Sequence, residues 1–377
     1  MGFLKKSRSF GSASVQTARG REKAYSELMR FDALPAGEWR LYRSLREAVP
    51  AIDAAIGKLV RLCGTVRVGA GDPEAERELS DFLARVPVGA TGEGLSAFLS
   101  SHLEQLLTYG TAVGEIVLSS DGVAALYSAS LEDVVLEEGD SPLRLRICRR
   151  SGLKTVPVPH PERVIVSALN PEPGHIYGTS LLRGLPFVSG ILLKIYRATG
   201  VNFDRMGNVR FAVTYKPPGD GLDRGTAKER ARQIAQEWSS AMSSDSVRDF
   251  VAVGDVDIKV IGADNQILDT EVPARQMMEQ IVGKLGIPPF LLGLSWSTTE
   301  RMSAQQADIL TSELEYYRAL LSPAVRKICR MWLAANGYAC EPQVEWEPVN
   351  LQDEVEEAKA RLYRAQAEQL EKEGKKN

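Results

Sequence analysis

Residues 281–333 read IVGKLGIPPFLLGLSWSTTERMSAQQADILTSELEYYRALLSPAVRKICRMWL, and no other stretch restricts the fold as much. An amphipathic helix runs into Gly286, a residue that takes the left-handed backbone on which helices end. The Pro288-Pro289 pair then bars any helical continuation. An apolar patch follows (Phe290, Leu291, Leu292), and after it a polar loop, LSWSTTERM, over 294–302. Leu310, Leu314, Tyr317 and Leu321 recur at steps of four and three, so they line one face of a long helix. That helix is expected to stop at Ser322-Pro323, with Pro323 opening another that ends at Asn336-Gly337. A stopped helix, a loop and a long returning helix make a rod–tip–rod unit, with no catalytic grouping in it.

The periodicity elsewhere gives an α+β chain. Helical spacing appears over 51–62 (Ile52, Ile56, Leu59, Val60) and over 95–109 (Phe98, Leu99, His102, Leu103, Leu106, Leu107), where Gly110 stops it. Strand signals follow at 112–118, 123–127, 133–136, 143–148 and 163–166, with a turn at Ser120-Asp121-Gly122. A helix is expected over 177–206, with Thr179 or Ser180 as its cap. Leu181, Leu185, Val188, Leu192 and Ile195 form its apolar stripe. Pro186 should either kink its first turns or move its start later. A strand at 209–215, a helix at 226–242 and strands at 249–253 and 257–261 form an insertion. The next helix opens at Pro273 and carries Met278, Ile281, Val282 and Leu285. A strand at 341–348 and a charged helix at 351–371 complete the chain.

Charge and composition exclude several functions. With 46 basic and 49 acidic residues the 377-residue chain has a net charge of −3. A static grip on duplex DNA presents a strongly basic face; near-neutrality suits a surface that lets a polyanion slide. Cys63, Cys148, Cys329 and Cys340 are scattered with no metal-ligand spacing, so structural thiols in a reducing compartment are expected. The start MGFLKKSRSF has no signal-peptide core, and the most apolar run, 187–193, falls far short of the ~20 residues of a membrane span. No membrane is expected.

Enzyme signatures are absent: Gly283-Lys284 lacks the rest of a phosphate-binding loop, and no dinucleotide, zinc-protease or serine-hydrolase motif occurs. His102 lies on an apolar helix face and reads as a core residue; His160 and His175 read as loop residues. The acid pairs Asp255/Asp257 and Glu137/Glu138 read as solvated turns. No catalytic residue, metal site or cofactor is expected.

The order of these elements, from the strand meander through Gly178-Thr179-Ser180 to the Gly-x-Pro-Pro signal and Pro323, resembles the core of tailed-bacteriophage portal proteins, the ring subunits at one capsid vertex. The resemblance spans about residues 39–370. It implies a mobile arm (1–35), a wing (36–176), a first stem helix (177–206), a clip of β-α-β-β form (207–268), a second stem helix (269–288), a tunnel loop (289–302), wing helices with a strand (303–350) and a short helical crown (351–377). It implies that Ser295, Trp296, Ser297, Thr298, Thr299 and Arg301 of the tunnel loop touch the DNA backbone. A helix N-terminus capped by Ser297, Thr298 or Thr299 reads the same residues without DNA, and both can hold. Lys194, Arg197, Arg275 and Lys284 would line the channel, or else be the wet side of amphipathic helices. Lys228, Arg230 and Arg232 of the clip would face the motor or adaptor.

The partners so implied are further copies in a ring (a dodecamer in the family), double-stranded DNA without sequence preference, the terminase large subunit, the major capsid or scaffold protein and the head–tail adaptor. The expected location is the virion, after assembly in the bacterial cytoplasm. Two rivals stand beside this reading: another virion structural protein, such as an adaptor or minor head protein, and a soluble enzyme with an unrecognised site.

Overall fold

The computed structural model describes residues 37–207 except 121, 142 and 153, and then 210–215, 229, 232–236, 256–261, 270–294 and 300–349. The expected arm (1–35), the strand at 249–253 and the helix at 351–371 lie outside the described residues.

Two helices open the chain: α1 (Gly37–Ala48) and α2 (Pro50–Leu62), the latter with Pro50 in its first turn, where a missing N–H costs nothing. Strand β1 (Val66–Gly69) follows, then α3 (Pro73–Arg85). The Asp72 carboxylate caps α3 by accepting from the Glu74 and Ala75 amides at 2.8 and 3.2 Å. Two short strands, β2 (Pro87–Val88) and β3 (Gly92–Glu93), lead into α4 (Leu95–Tyr109). β1 and α3 go beyond the elements expected from periodicity, although Asp72-Pro73 is a legible helix start.

The meander then unrolls as β4 (Thr111–Ser119), β5 (Gly122–Ala129), β6 (Val134–Glu138), β7 (Leu145–Ser151), β8 (Lys154–Pro157) and β9 (Val164–Ala168). It divides into a five-stranded sheet, β3-β2-β5-β4-β9, and a three-stranded sheet, β6-β7-β8. Helix α4 covers the larger sheet, and Gly114 of β4 gives Phe98 room: a Cβ there would lie 2.6 Å from the Phe98 ring. His102, also on α4, is buried as expected, stacked on Phe98 and 3.0 Å from the Ser167 hydroxyl.

The remaining described elements are α5 (Leu185–Gly207), β10 (Arg210–Tyr215), β11 (Val256–Ile261), α6 (Glu271–Leu285), α7 (Glu300–Ala335) and β12 (Gln343–Trp346). β10 and β11 pair antiparallel, so the insertion between α5 and α6 closes on itself. β12 pairs antiparallel with β1, placing Trp346 opposite Val66.

Two expectations fail here, the Ser180 cap and the helix break at Pro323. Of the two outcomes that Pro186 allowed, the later start is the one found: the helix expected over 177–206 begins at Leu185, with Pro186 in its first turn, and residues 181–184 form turns. Proline fits the first helical turn, and the chain before it is held elsewhere. Ser180 therefore caps no helix: its hydroxyl donates to the Thr108 carbonyl at 2.6 Å and accepts from the Leu182 amide at 3.0 Å. The second failure is at Pro323, which neither ends one helix nor opens another, because α7 runs through it. An interior proline costs about 3 kcal/mol. Buried Leu310, Leu314, Tyr317 and Leu321 before it, and Val325, Ile328 and Cys329 after it, hold both halves on one core and outweigh that cost. The stop at Asn336-Gly337 is as expected, with Gly337 at φ +82.

The main core takes in α2, α4 and α7 together with the inner ends of α5 and α6. Buried Arg318 ties α7 to α2: its Nε donates to the Cys63 carbonyl at 2.7 Å, and its guanidinium lies 5.4 Å over the Trp346 ring. A second cluster, Trp39, Val113, Leu131, Val134, Leu136 and Ile147, sits beneath the small sheet. All four cysteines are free thiols, and burial pushes Cys63 up to about 11 and Cys329 up to about 12.

Candidate functional site

Helices α5 and α6 flank the insertion and pack against each other. On α5, Leu185, Ser189 and Leu192 are buried. The same side of the helix, followed at 100° per residue, continues through Tyr196, Thr199 and Phe203. There the cover falls away: Tyr196 is 50% exposed and Phe203 64%. α6 mirrors this, with Ile281, Val282 and Leu285 buried at its end and Val272 56% exposed at its start. Thr199 Oγ1 lies 3.3 Å from Thr270 Oγ1, so the outer part of α5 meets the first turn of α6. The two helices are antiparallel rods, rooted in the core at one end and bare at the other.

A second exposed stripe runs along the outer side of α5. Phe187, Lys194 and Val201, seven residues apart, stand above one another; Phe187 is 51% exposed and Val201 41%. Leu193 is exposed nearby. The apolar stripe expected from the sequence (Leu181, Leu185, Val188, Leu192 and Ile195) does not include these outward residues. Their seven-residue spacing was the signal.

Lys194, Arg197, Arg275 and Lys284 are all exposed. Lys194 and Arg197, three residues apart, share a side of α5. Arg275 and Lys284 are nine residues apart, half a turn out of phase, and lie on opposite sides of α6. The four therefore do not form one face. Arg275 also pairs with Glu279 at 3.0 Å within its own helix.

After α6, Gly286 (φ +64) ends the helix in the left-handed region. Residues Pro289–Leu292 form a 3₁₀ turn, with Leu291 and Leu292 packed on the core and Phe290 exposed. The segment expected as a loop over 289–302 thus begins in this turn and ends in α7, to which Glu300, Arg301 and Met302 already belong. Ser295, Trp296, Ser297, Thr298 and Thr299 lie outside the described residues, as do Lys228 and Arg230. Arg232 is exposed in a helical stretch over 232–236.

Among the described residues no group of His, Cys, Asp or Glu could hold a metal ion, and no helix is long and apolar enough to cross a membrane. Burial lowers His102 to about 4, so at neutral pH it is an uncharged core group.

No family model and no curated protein matches the chain. Among solved structures, a chain from the neck of a native gene transfer agent (GTA) particle, computed with C12 symmetry, superposes at a TM-score of 0.62 and 15% identity, covering 86% of this chain and 88% of that one. A chain from the virion of the native GTA particle gives 0.61 at 15% identity, over 86% and 89%. The protein has the fold of these particle chains. An HK97 family phage portal protein from Corynebacterium diphtheriae aligns over 80% of this chain and 92% of its own at 14% identity, but its TM-score of 0.44 is too low to establish a common fold. The likeness to the GTA chains is one of backbone course; the exposed stripes on α5 and α6 are described from this chain's own side chains.

Proposed function

We propose that this chain is a portal subunit: it forms a ring at one capsid vertex, passes double-stranded DNA through the ring axis, and offers docking surfaces to a packaging motor and a tail adaptor. The observation that carries this reading is the α5–α6 pair, whose apolar side chains run on past the point where the chain's own core can cover them. A monomer would leave Phe187, Tyr196, Val201, Phe203 and Val272 in water. Neighbouring copies packed side by side would bury them, at roughly 1.5–3 kcal/mol for each large side chain fully covered. Head-to-tail contacts of this kind close into rings. The shared fold with a GTA neck chain, and the element order resembling phage portals, support the same reading.

In this arrangement residues 36–176 form the wing, α5 and α6 the stems, 207–268 the clip, 303–350 the returning wing and 351–377 a short crown. Residues 295–299 form the tip of the tunnel loop, where Trp296 and the hydroxyls of Ser295, Ser297, Thr298 and Thr299 meet DNA phosphates. Contacts to phosphate carry no sequence information, as a packaging channel requires. Of the stem cations on α5, Arg197 lies off the Phe187–Lys194–Val201 stripe that a neighbour covers, and it lines the channel. Arg232 belongs to the clip surface offered to the motor. The energy of packaging comes from the terminase, because no nucleotide-binding motif is present.

Negative-stain microscopy of the purified chain tests the proposal. Annular particles with an axial opening wide enough for a double helix are expected. Monomers persisting at high concentration, with no annuli, would sink it.

A further inference from the structure

The long helix α7 carries an exposed apolar stripe on a side turned away from the core. Met302, Ile309 and Tyr316 are seven residues apart and stand above one another; they are 46%, 65% and 39% exposed. The core takes a different side, through Leu310, Leu314, Tyr317 and Leu321. The Tyr316 hydroxyl donates to Asn170 Oδ1 at 2.7 Å, which fixes the ring and leaves its edge open. Between Met302 and Leu320 the exposed charged residues are Asp308, Glu313 and Glu315, all acidic; Arg318 is buried on the core side. Glu313 stands within the stripe, four residues after Ile309 and three before Tyr316. Large apolar groups at a seven-residue period suit a partner helix and contribute little to the fold of a single chain.

The counterpart is on α5, whose outward stripe of Phe187, Lys194 and Val201 has the same period. Each stripe extends over about 21 Å of helix at 1.5 Å per residue. Lys194 is at the middle of its stripe, and it and Arg197 are the only charged residues from Leu185 to Phe203. Gly190 opens the surface between Phe187 and Lys194: a Cβ there would meet nothing within 4 Å, so a bulky side chain from outside has room to settle. The two helices root in different parts of the fold. α5 packs on α6 and α1, whereas α7 packs on β5, β9, β12, α3 and α4.

We propose that the α5 stripe of one copy lies along the α7 stripe of the next, with Lys194 among Asp308, Glu313 and Glu315 and the apolar groups interleaved to either side. The proposal rests on the ring reading above and names the surface that covers Phe187 and Val201. Ring closure requires two different, mutually complementary patches on every subunit. These two agree in period and length and are opposite in charge. An equal seven-residue period keeps two helices in step along their contact. Charge selects the unlike pairing: α5 against α5 would oppose cations, and α7 against α7 would oppose acids.

Cysteine pairing tests the contact. Lys194→Cys/Ile309→Cys puts one thiol at the centre of each stripe, and oxidation once rings have formed should link successive subunits into a ladder on denaturing gels. The parent, whose own thiols are buried or half-buried, should give none. Charge reversal is the second readout. Lys194→Glu alone and Glu313→Lys alone should each need on the order of tenfold more protein to form rings, as judged by mass photometry. Both changes in one chain should recover most of that loss. Circular dichroism melts identify a misfolded variant; if Glu313→Lys is one, Ile309→Lys at the more exposed site replaces it and should weaken assembly in the same way. Rings that yield no ladder, a bridge closed within one chain, or reversals that leave assembly unchanged would overturn the contact and leave the ring reading standing. A parent that never forms rings would remove both proposals together.

Discussion

Gly110 and Gly178 touch backbone to backbone: a Cβ on Gly110 would lie 2.5 Å from the Gly178 carbonyl oxygen, and one on Gly178 would collide with the Gly110 oxygen. The contact joins the end of α4 to the segment that launches α5. It is surrounded by hydrogen bonds from the Gly178 amide to Thr111 Oγ1 (2.9 Å), from the Thr179 amide to the Leu169 carbonyl (2.6 Å) and from the Leu181 amide to the Leu107 carbonyl (3.1 Å). Gly178→Ala should therefore cost about 3 kcal/mol or more, since backbone would have to move on both sides. Urea unfolding gives the value; a midpoint equal to that of the parent would mean the launch segment is looser than described.

The buried imidazole of His102 sets a pH dependence. In the unfolded chain a histidine titrates near 6.5, while in the fold His102 stays neutral down to about 4. Between those values the unfolded state binds the extra proton, so stability falls as pH drops through this window and is retained above it. The loss can reach about 3 kcal/mol. Comparing the stability of the parent with that of His102→Gln from pH 7 to pH 4.5 isolates the effect. Parallel curves would show that His102 is not the group responsible.

Substituting the bare apolar groups of α5 should separate folding from assembly. Phe187→Ser, Tyr196→Ser and Phe203→Ser, combined, remove side chains that the single chain leaves exposed. Each should change monomer stability by no more than about 0.5 kcal/mol. Ring formation, followed by size-exclusion chromatography with light scattering, should fail or need far more protein. Unchanged assembly would show that these side chains face solvent in the ring too.

Replacing Ser295–Thr299 with five glycines should leave rings intact and impair DNA packaging or retention. Loss of the rings instead would assign the segment a structural role.

The sequence disclosed what local patterns encode. Gly110, Gly286 and Gly337 each end a helix in the left-handed region as their positions suggest. The meander strands lie within a few residues of where alternation put them, and His102 is in the core. Nonlocal effects were not legible. The start of α5 depends on residues 178–181 being bound to α4 and Leu169, so a pattern that reads as one helix divides into a tethered turn and a later helix. Pro323 passes through α7 because core packing on both sides exceeds a local penalty, and no window of sequence contains that comparison. β1 is only four residues long and gains its identity from β12, far away in the chain. Of the candidate site, the two helices α5 and α6 and their apolar character could be read. Which basic residues share a face could not, until the phase of each helix was known; Arg275 and Lys284 then proved to be half a turn apart.

The pairing of β1 with β12, reinforced by Arg67–Glu347 at 2.8 Å and by the Trp346 indole donating to Ser322 at 2.9 Å, also bears on biosynthesis. As the chain leaves the ribosome, Val66 and Val68 must wait, uncovered, until nearly everything else has been translated. A partly made chain therefore cannot close this strand pair, and its fold is completed only once residues 343–346 have emerged.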